Sequence, residues 1–427
     1  MNYQTSENQD TNKHQPTLGQ NQLGYQWGSY LWAWNTTGFD RWELTHTSPN
    51  SHDHPWTWKG EKLKNQILVD SSGSTHDYGF PQPQVFLALS PWVSTEFPAH
   101  ECLVSWNTIQ SEDLVVGFWL QVEQLDQPGQ TDHQDSPDQP WFCLGIWTSD
   151  PQGPRGSVKG QSWEGTRVVT DTLRSTTPFS RIRVGIEIKN RTDLQDQTPL
   201  QDSTSRKNQA TILLNAIQLT WSTVLPSVDN QAHDPINDPI QNSQPCYLTP
   251  LPACSQRVYP DGGSVWCSPV SLAMVLEYWN QSGNGCKEII FPTRDGVYDP
   301  VYKGYGNWVF NTAWAGQLGY RARVLRSGSL SDLEPWLDQG IPLILSVAWN
   351  QEKGPRLTGA PIESSNGHLT VVAGFDDQGN PLIHEPAADT DQEVVRTYQR
   401  YQLEQCWLQN SGGTYYAVYP ESVTPPW

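Results

Sequence analysis

Basic residues are scarce in this sequence, and that scarcity narrows function more than any one motif. Lys and Arg total 26 against 45 Asp and Glu, a formal charge of −19. Neutralising nucleic-acid phosphates calls for clustered Lys and Arg, so this balance argues against a nucleic-acid partner. It is an equally poor match for an anionic membrane surface. Long apolar runs are missing too, and no segment reaches the length that spans a membrane. The opening MNYQTSENQDTNKHQPTLGQNQLG has no basic start followed by an apolar stretch, so no secretory signal is recognisable. Paired-cysteine signals are also lacking. The seven cysteines are odd in number and have no CxxC spacing, which argues against a complete disulfide framework or a zinc site. A Cys254–Cys267 bond is disfavoured in the reducing setting this suggests. The expectation is a cytoplasmic protein with free thiols, whose partners are small molecules, peptides or neutral glycans.

What is present suggests two domains. The 427 residues exceed one ordinary core, and 36% apolar residues suffice to fold them. Residues 1–24 are polar and expected to be a disordered tail. Residues 25–224 carry short alternating runs, among them LVVGFWLQVEQ, WFCLGIWTSD, SRIRVGIEIKN and ATILLNAIQLTWS. In the third of these Ile182, Val184, Ile186 and Ile188 share one face while Arg181, Arg183 and Glu187 take the other. That alternation predicts antiparallel strands with one buried face, and hence a jelly-roll-like β-sandwich. QLDQPGQTDHQDSPDQP and RTDLQDQTPLQDSTSRKNQ read as solvated loops within it. Residues 225–245, rich in Pro, Asn, Asp and Gln, read as a linker.

From 246 to 427 the pattern changes. Leu272, Val275, Leu276 and Trp279 have helical spacing, with Pro269 where a first turn tolerates it. NWVFNTAWAGQLGY predicts a helix ending at Gly319, and SLSDLEPWLDQG one with a Ser cap and a stop at Gly340. Strands follow in IPLILSVAW, HLTVVAGFD, PLIHEP and GTYYAVYP. Helices first and then an antiparallel sheet is an α+β order.

Cys267 sits at the first turn of the first of these helices, where unpaired backbone N–H groups favour a thiolate. A nucleophile there needs a base, an orienting group and an oxyanion donor. This half has two histidines, His368 and His384. His368 opens a strong strand, and the turn DDQGN folds the next strand back beside it. On that strand His384 and Glu385 point to opposite faces, so Glu385 is the candidate to orient His368, with His384 kept as an alternative base. Gln256 lies upstream as a candidate side-chain donor to the oxyanion, beside the backbone N–H of Cys267. Trp266, Trp308, Asn311, Asn366 and Gly367 are candidates for lining the cleft, with core packing an equal reading for Trp308 and Asn311.

SQRVYPDGGSVWCSPVSLAMVLEYW, GNWVFNTA, GIPLILSV, NGHLTVVAGFDDQGNPLIHEPAA and GGTYYAVYP together resemble the bacteriocin-processing, double-glycine-leader type of cysteine peptidase, within the papain-like clan. LVSWNT, WFCLGIWTSD and VVTDTL are similar to the β-rich domain that precedes the peptidase domain in this branch. The resemblance implies a papain-like α+β peptidase domain, Cys267 as nucleophile and His368 as base. It usually carries Asp in an Asn-Asp-Pro context where this chain reads His384-Glu385-Pro386. The transporter modules that accompany leader processing are absent from these residues, so export of a double-glycine peptide is not implied.

The expectation is a cysteine peptidase that hydrolyses a peptide or protein through a thioester, with no cofactor and no metal. An amide or isopeptide hydrolase or transferase with the same dyad is the nearest alternative. A silent module whose sandwich binds a glycan or protein is the other. Bland readings stand beside these. Cys246, Cys254, Cys286 and Cys406 read as incidental thiols, and Trp106, Trp119, Trp147 and Trp221 as core rather than sugar platforms. His46, His52, Asp53 and His54 are close in sequence, and a solvated loop is favoured over a metal site.

Overall fold

The computed structural model describes residues 16–21, 24–33, 43–44, 57–59, 81–82, 88–125, 139–191, 211–224, 246–260 and 262–427. Most of the expected tail, most of both solvated loops, the linker 225–245 and the His46–His54 cluster lie outside these residues. Thr17–Gln20, inside the expected tail, is instead an edge strand paired with Gln26–Ser29.

The N-terminal region is all antiparallel β. Its strands are β1 (Thr17–Gln20), β2 (Gln26–Ala33), β3 (Glu43–Leu44), β4 (Thr57–Lys59), β5 (Ala88–Leu89), β6 (Val93–Gln110), β7 (Leu114–Gln124), β8 (Phe142–Trp147), β9 (Ser162–Trp163), β10 (Thr166–Val169), β11 (Thr172–Asn190) and β12 (Thr211–Ser222). One layer runs β1-β2-β12-β6, and β11 joins β7, β8 and β5 in the other. The layers are not separate sheets. β6 pairs with β12 through its second half and with β11 through its first. Register shifts in β11 between Arg174 and Arg181 let the strand bend from one layer to the other. The alternating apolar residues face inward, and Trp106 stacks on Phe118 with centroids 4.0 Å apart. Trp106, Trp119, Trp147 and Trp221 are all buried.

The C-terminal region is α+β. It comprises β13 (Cys246–Tyr247), α1 (Cys267–Asn280), α2 (Ile290–Val297), α3 (Trp308–Gln317), β14 (Arg321–Arg326), α4 (Glu334–Asp338), β15 (Leu343–Asn350), β16 (Ser364–Phe375), β17 (Pro381–His384), β18 (Val395–Thr397), α5 (Arg400–Ser411) and β19 (Thr414–Tyr419). The sheet order is β14-β19-β15-β16-β17-β18, with β13 paired to β16. One apolar cluster, on the face of α1–α3, continues without a break into the sandwich. A second cluster holds α4 and α5 on the other face. Among the described residues no helix is long and apolar enough to cross a membrane.

The two regions are joined through a strand edge. Among the described residues β14 pairs only with β19, so its outer N–H and C=O groups need partners from elsewhere. Asn107 of β6 supplies them like an added strand. Its Nδ2 donates to Ala322 O at 2.9 Å, and its Oδ1 accepts from Ala322 N at 3.0 Å. Two residues on, Val324 N donates to Ser105 Oγ and Val324 O accepts from Thr220 Oγ1. Gly316 of α3 lies so close to β6 that an added Cβ would sit 2.7 Å from Asn107 Cα. Phe310 of α3 reaches into the sandwich, edge-on to Trp147 at 5.2 Å and to Trp106 at 6.4 Å.

Replacing Asn107 by Ala would orphan a buried donor and a buried acceptor together. Each costs about 1–3 kcal/mol, so N107A is expected to destabilise the chain by about 2–6 kcal/mol. Calorimetry of the wild type should show one cooperative transition that N107A lowers. Two separate transitions, or an unshifted one, would contradict the shared edge.

Candidate active site

The thiol is placed by a tight entry loop. Gly262 has φ +104° in the left-handed region, and a single 3-10 turn at Gly263–Val265 leads into α1. A side chain at 263 would put Cβ 2.0 Å from the Gln256 carbonyl, so glycine there lets the loop press on Gln256. Trp266 is the residue before the helix and offers no side-chain cap. The first N–H groups of α1, those of Cys267 and Ser268, are thus left uncapped by side chains. Ser268 to Glu277 of α1 are buried on all sides, and Ser271 Oγ donates to Leu369 O, tying the helix to β16.

β16 brings His368 to the thiol, and the chain beyond β17 brings Glu385 to His368. His368 Nε2 meets Glu385 Oε1 at 2.6 Å, which leaves Nδ1 to hydrogen-bond the half-buried Cys267. Glu385 has no exposed surface. Its Oε1 also accepts from Ala387 N at 2.9 Å, and its Oε2 accepts from the Tyr398 hydroxyl at 3.1 Å. Trp349 of β15 stands edge-on to the imidazole at 5.2 Å. Cys267, His368 and Glu385 are therefore one contiguous chain of contacts.

The charges follow from that chain. Burial pushes the Cys267 thiol up, but the His368 charge, the hydrogen bond to its ring and the Leu369 N–H outweigh burial and hold the thiol below its ordinary value. Burial opposes the imidazolium, yet the Glu385 carboxylate and the Cys267 thiolate raise His368 to about 10. Burial likewise opposes the Glu385 charge, and His368, Ala387 N–H and Tyr398 together keep the carboxylate below the ordinary range. The arrangement can hold a thiolate–imidazolium pair with a third group fixing the ring.

Gln256 is buried on the chain that packs against the turn after Glu385. Its backbone N–H donates to Pro386 O at 2.8 Å, next to Glu385, and its Oε1 has no hydrogen-bond partner. The other expected residues divide. Asn366 and Gly367 are exposed just ahead of His368, at the open end of β16. Trp308 is partly buried, and its N–H donates to Asp171 Oδ2 of the β-domain at 2.7 Å. Trp266 and Asn311, candidates for the cleft wall, are buried instead. Trp266 is enclosed by Tyr259, Phe291, Tyr305 and the Arg294 guanidinium. Asn311 accepts from Ser268 Oγ at 2.9 Å and donates to Tyr305 O and Asn307 O, which fixes α3 to the turn after the thiol. His384 faces away, bonded to Tyr247 Oη at 2.9 Å and Pro252 O at 2.8 Å.

Sequence reasoning missed Tyr398, Ala387 N, Trp349, Asp171 and Tyr302. Burial raises the Tyr302 phenol, and the nearby Asp171 and Cys267 charges add to this, so Tyr302 belongs to the same neighbourhood. It also read Cys254 and Cys286 as free thiols, and that is corrected here: the two are buried and joined in a disulfide. Their separation of 32 residues put them in different local patterns, and only the fold brings their Cα atoms to 6.2 Å. No group of His, Cys, Asp and Glu among the described residues is arranged to hold a metal.

An ordinary thiol is almost wholly protonated at pH 6, so alkylation of Cys267 by iodoacetamide at that pH reports its charge. Glu385 lies nearer the imidazolium than the thiolate, so E385Q should favour the neutral pair and slow this labelling about tenfold. Equal labelling in the two proteins would remove Glu385 from the pair.

Family models match parts of both regions. Residues 248–415 match the Peptidase_C39 like family, and residues 64–204 match the Peptidase C39 N-terminal domain. A crystal structure from Bacillus anthracis, described as that of a C39-like peptidase, is similar at 17% identity, with a TM-score of 0.31, over 42% of this chain and 100% of the other. The comparison with curated proteins found no match. Residues 248–415 thus form a Peptidase C39-like domain, preceded by a match to the Peptidase C39 N-terminal domain.

Proposed function

We propose that this chain is a cysteine peptidase that hydrolyses peptide bonds through Cys267. The observation that carries the reading is the buried 2.6 Å contact between His368 Nε2 and Glu385 Oε1, which turns the other ring nitrogen toward a thiol at a helix start. The Cys267 sulfur attacks the carbonyl carbon of a bound peptide, and the carbonyl oxygen becomes an oxyanion. The Cys267 N–H, uncapped at the head of α1, and the Gln256 side chain are the groups at hand to stabilise it. Nδ1 of the His368 imidazolium protonates the amine nitrogen as the C–N bond breaks, and the amine product leaves a thioester on Cys267. Water then attacks the thioester while His368 takes its proton. The carboxylic acid product leaves and the thiolate–imidazolium pair is restored. Glu385 stays ionised throughout and holds the ring in one tautomer.

Removing the nucleophile should leave the fold intact, since Cys267 is half-buried and forms no disulfide. C267A is expected to cut hydrolysis of a peptide mixture by about 10³-fold or more, with a wild-type melting curve. Turnover that persists in C267A, followed by mass spectrometry of the products, would rule the assignment out.

A further inference from the structure

The disulfide sits where the reaction would need rigidity. Cys254 is two residues ahead of Gln256, and Cys286 is the residue whose carbonyl receives the N–H of Ile290, the first residue of α2. The closed loop between them contains Gln256, the Gly262–Gly263 entry and Cys267. From one side the Cys254–Arg257 segment is clamped to the chain beyond Glu385. Ser255 N donates to Asp391 Oδ1, Ser255 Oγ to Ala388 O, Gln256 N to Pro386 O and Arg257 Nε to Ala387 O. From the other side the disulfide ties the segment to α2, whose Phe291 and Arg294 enclose Trp266, the neighbour of Cys267. The Gln256 side chain has no tether through its Oε1. Its position is set by the backbone that carries it, and that backbone is fixed on one side by hydrogen bonds and on the other by a covalent bond.

We infer that Cys254 and Cys286 are positioning residues whose disulfide holds Gln256 where the oxyanion forms. This rests on the reading of Cys267 as a nucleophile and adds a condition to it. The site works with two cysteines oxidised and a third, Cys267, reduced. Hydrolysis should therefore peak at intermediate reductant and fall when strong reductant opens the disulfide. Such a site suits an oxidising compartment better than the reducing cytoplasm that composition suggested.

Two reactions at the same sulfur separate the disulfide's role from the nucleophile's. Iodoacetamide alkylates the thiolate by displacement and forms no oxyanion. With 4-nitrophenyl acetate the sulfur bonds to the acetyl carbon through an oxyanion, the ester C–O bond breaks, and nitrophenolate leaves with the electron pair. Neither probe needs a peptide sequence. The full chain is assayed oxidised, and again after a water-soluble phosphine has reduced the Cys254–Cys286 bond: two electrons pass to the sulfurs, and water supplies the oxygen of the phosphine oxide and the protons of the two thiols. Complete reduction is checked by mass before the phosphine is removed. The expected result is a fall of roughly tenfold or more in the nitrophenolate burst rate, with alkylation of Cys267 at pH 6 changed less than twofold. The double variant Cys254→Ala/Cys286→Ala should behave the same, and adding Q256A to it should cost nothing further. An unchanged burst overturns the inference. So does an equal loss of both reactions, because the bond would then hold the fold or the thiolate rather than the oxyanion site. If the oxidised protein shows neither low-pH alkylation nor a burst at Cys267, the nucleophile reading itself has failed.

Discussion

Glu385 is a carboxylate with no exposed surface, and the site is organised by the need to satisfy it. An ionised carboxylate taken from water costs several kcal/mol unless it is paired and hydrogen-bonded. Three donors meet it here: His368 Nε2, Ala387 N and the Tyr398 hydroxyl. Each comes from a different piece of chain, so the sheet register from β16 to β18 must be right before the carboxylate can be tolerated. Once it is in place, its charge makes the imidazolium affordable, and the imidazolium makes the thiolate so. Glu in place of Asp is accommodated because the turn at Glu385–Ala388 and the Tyr398 hydroxyl close around the longer side chain.

The β-domain is part of this construction rather than an appendage. Its Asn107, Ser105 and Thr220 complete the free edge of β14. Its Asp171 accepts from Trp308 N at the head of α3, and the helix in turn fixes Ser268 through Asn311. Burial raises Asp171 to about 6, against the hydrogen bonds from Trp308 N–H and Thr172. Asp299 extends the contact by accepting from Ser157 N of the β-domain and from Val301 N, Tyr302 N and Asn307 Nδ2 of its own loop. The loop that carries Tyr302 is therefore held from both regions.

How much of this could be read from sequence depended on whether the signal was local. α1 was legible from its apolar spacing and the proline in its first turn, and α3 and the Ser329-capped turn before α4 because apolar spacing, a cap and a left-handed glycine coincide in a few residues. The long apolar alternation of β11 was legible for the same reason, except that Glu187, assigned to the outer face, is buried and paired with Lys189 at 2.9 Å. α5 was missed because only Leu403, Cys406 and Trp407 of its residues, with Ser411, are buried, in a segment otherwise rich in Gln. α2 carries Pro292 and Gly296, which obscure any helical pattern. Cys267, His368 and Glu385 were picked out as candidates because few residues of the right chemistry exist in that half. Tyr398, the disulfide and the Asn107 clamp were not, since each joins chain segments that nothing in the intervening sequence connects.

The protonation state of His368 tests the central arrangement most directly. Nitrogen chemical shifts of the imidazole, recorded on the full chain labelled with ¹⁵N-histidine at pH 8, distinguish an imidazolium from a neutral ring. Both nitrogens are expected to carry protons in the wild type, because Glu385 and the Cys267 thiolate raise His368 to about 10. In C267A, with the thiolate gone, burial should pull the ring back toward neutrality. A neutral ring in the wild type at pH 8 would mean that the buried carboxylate does not hold an ion pair at Cys267.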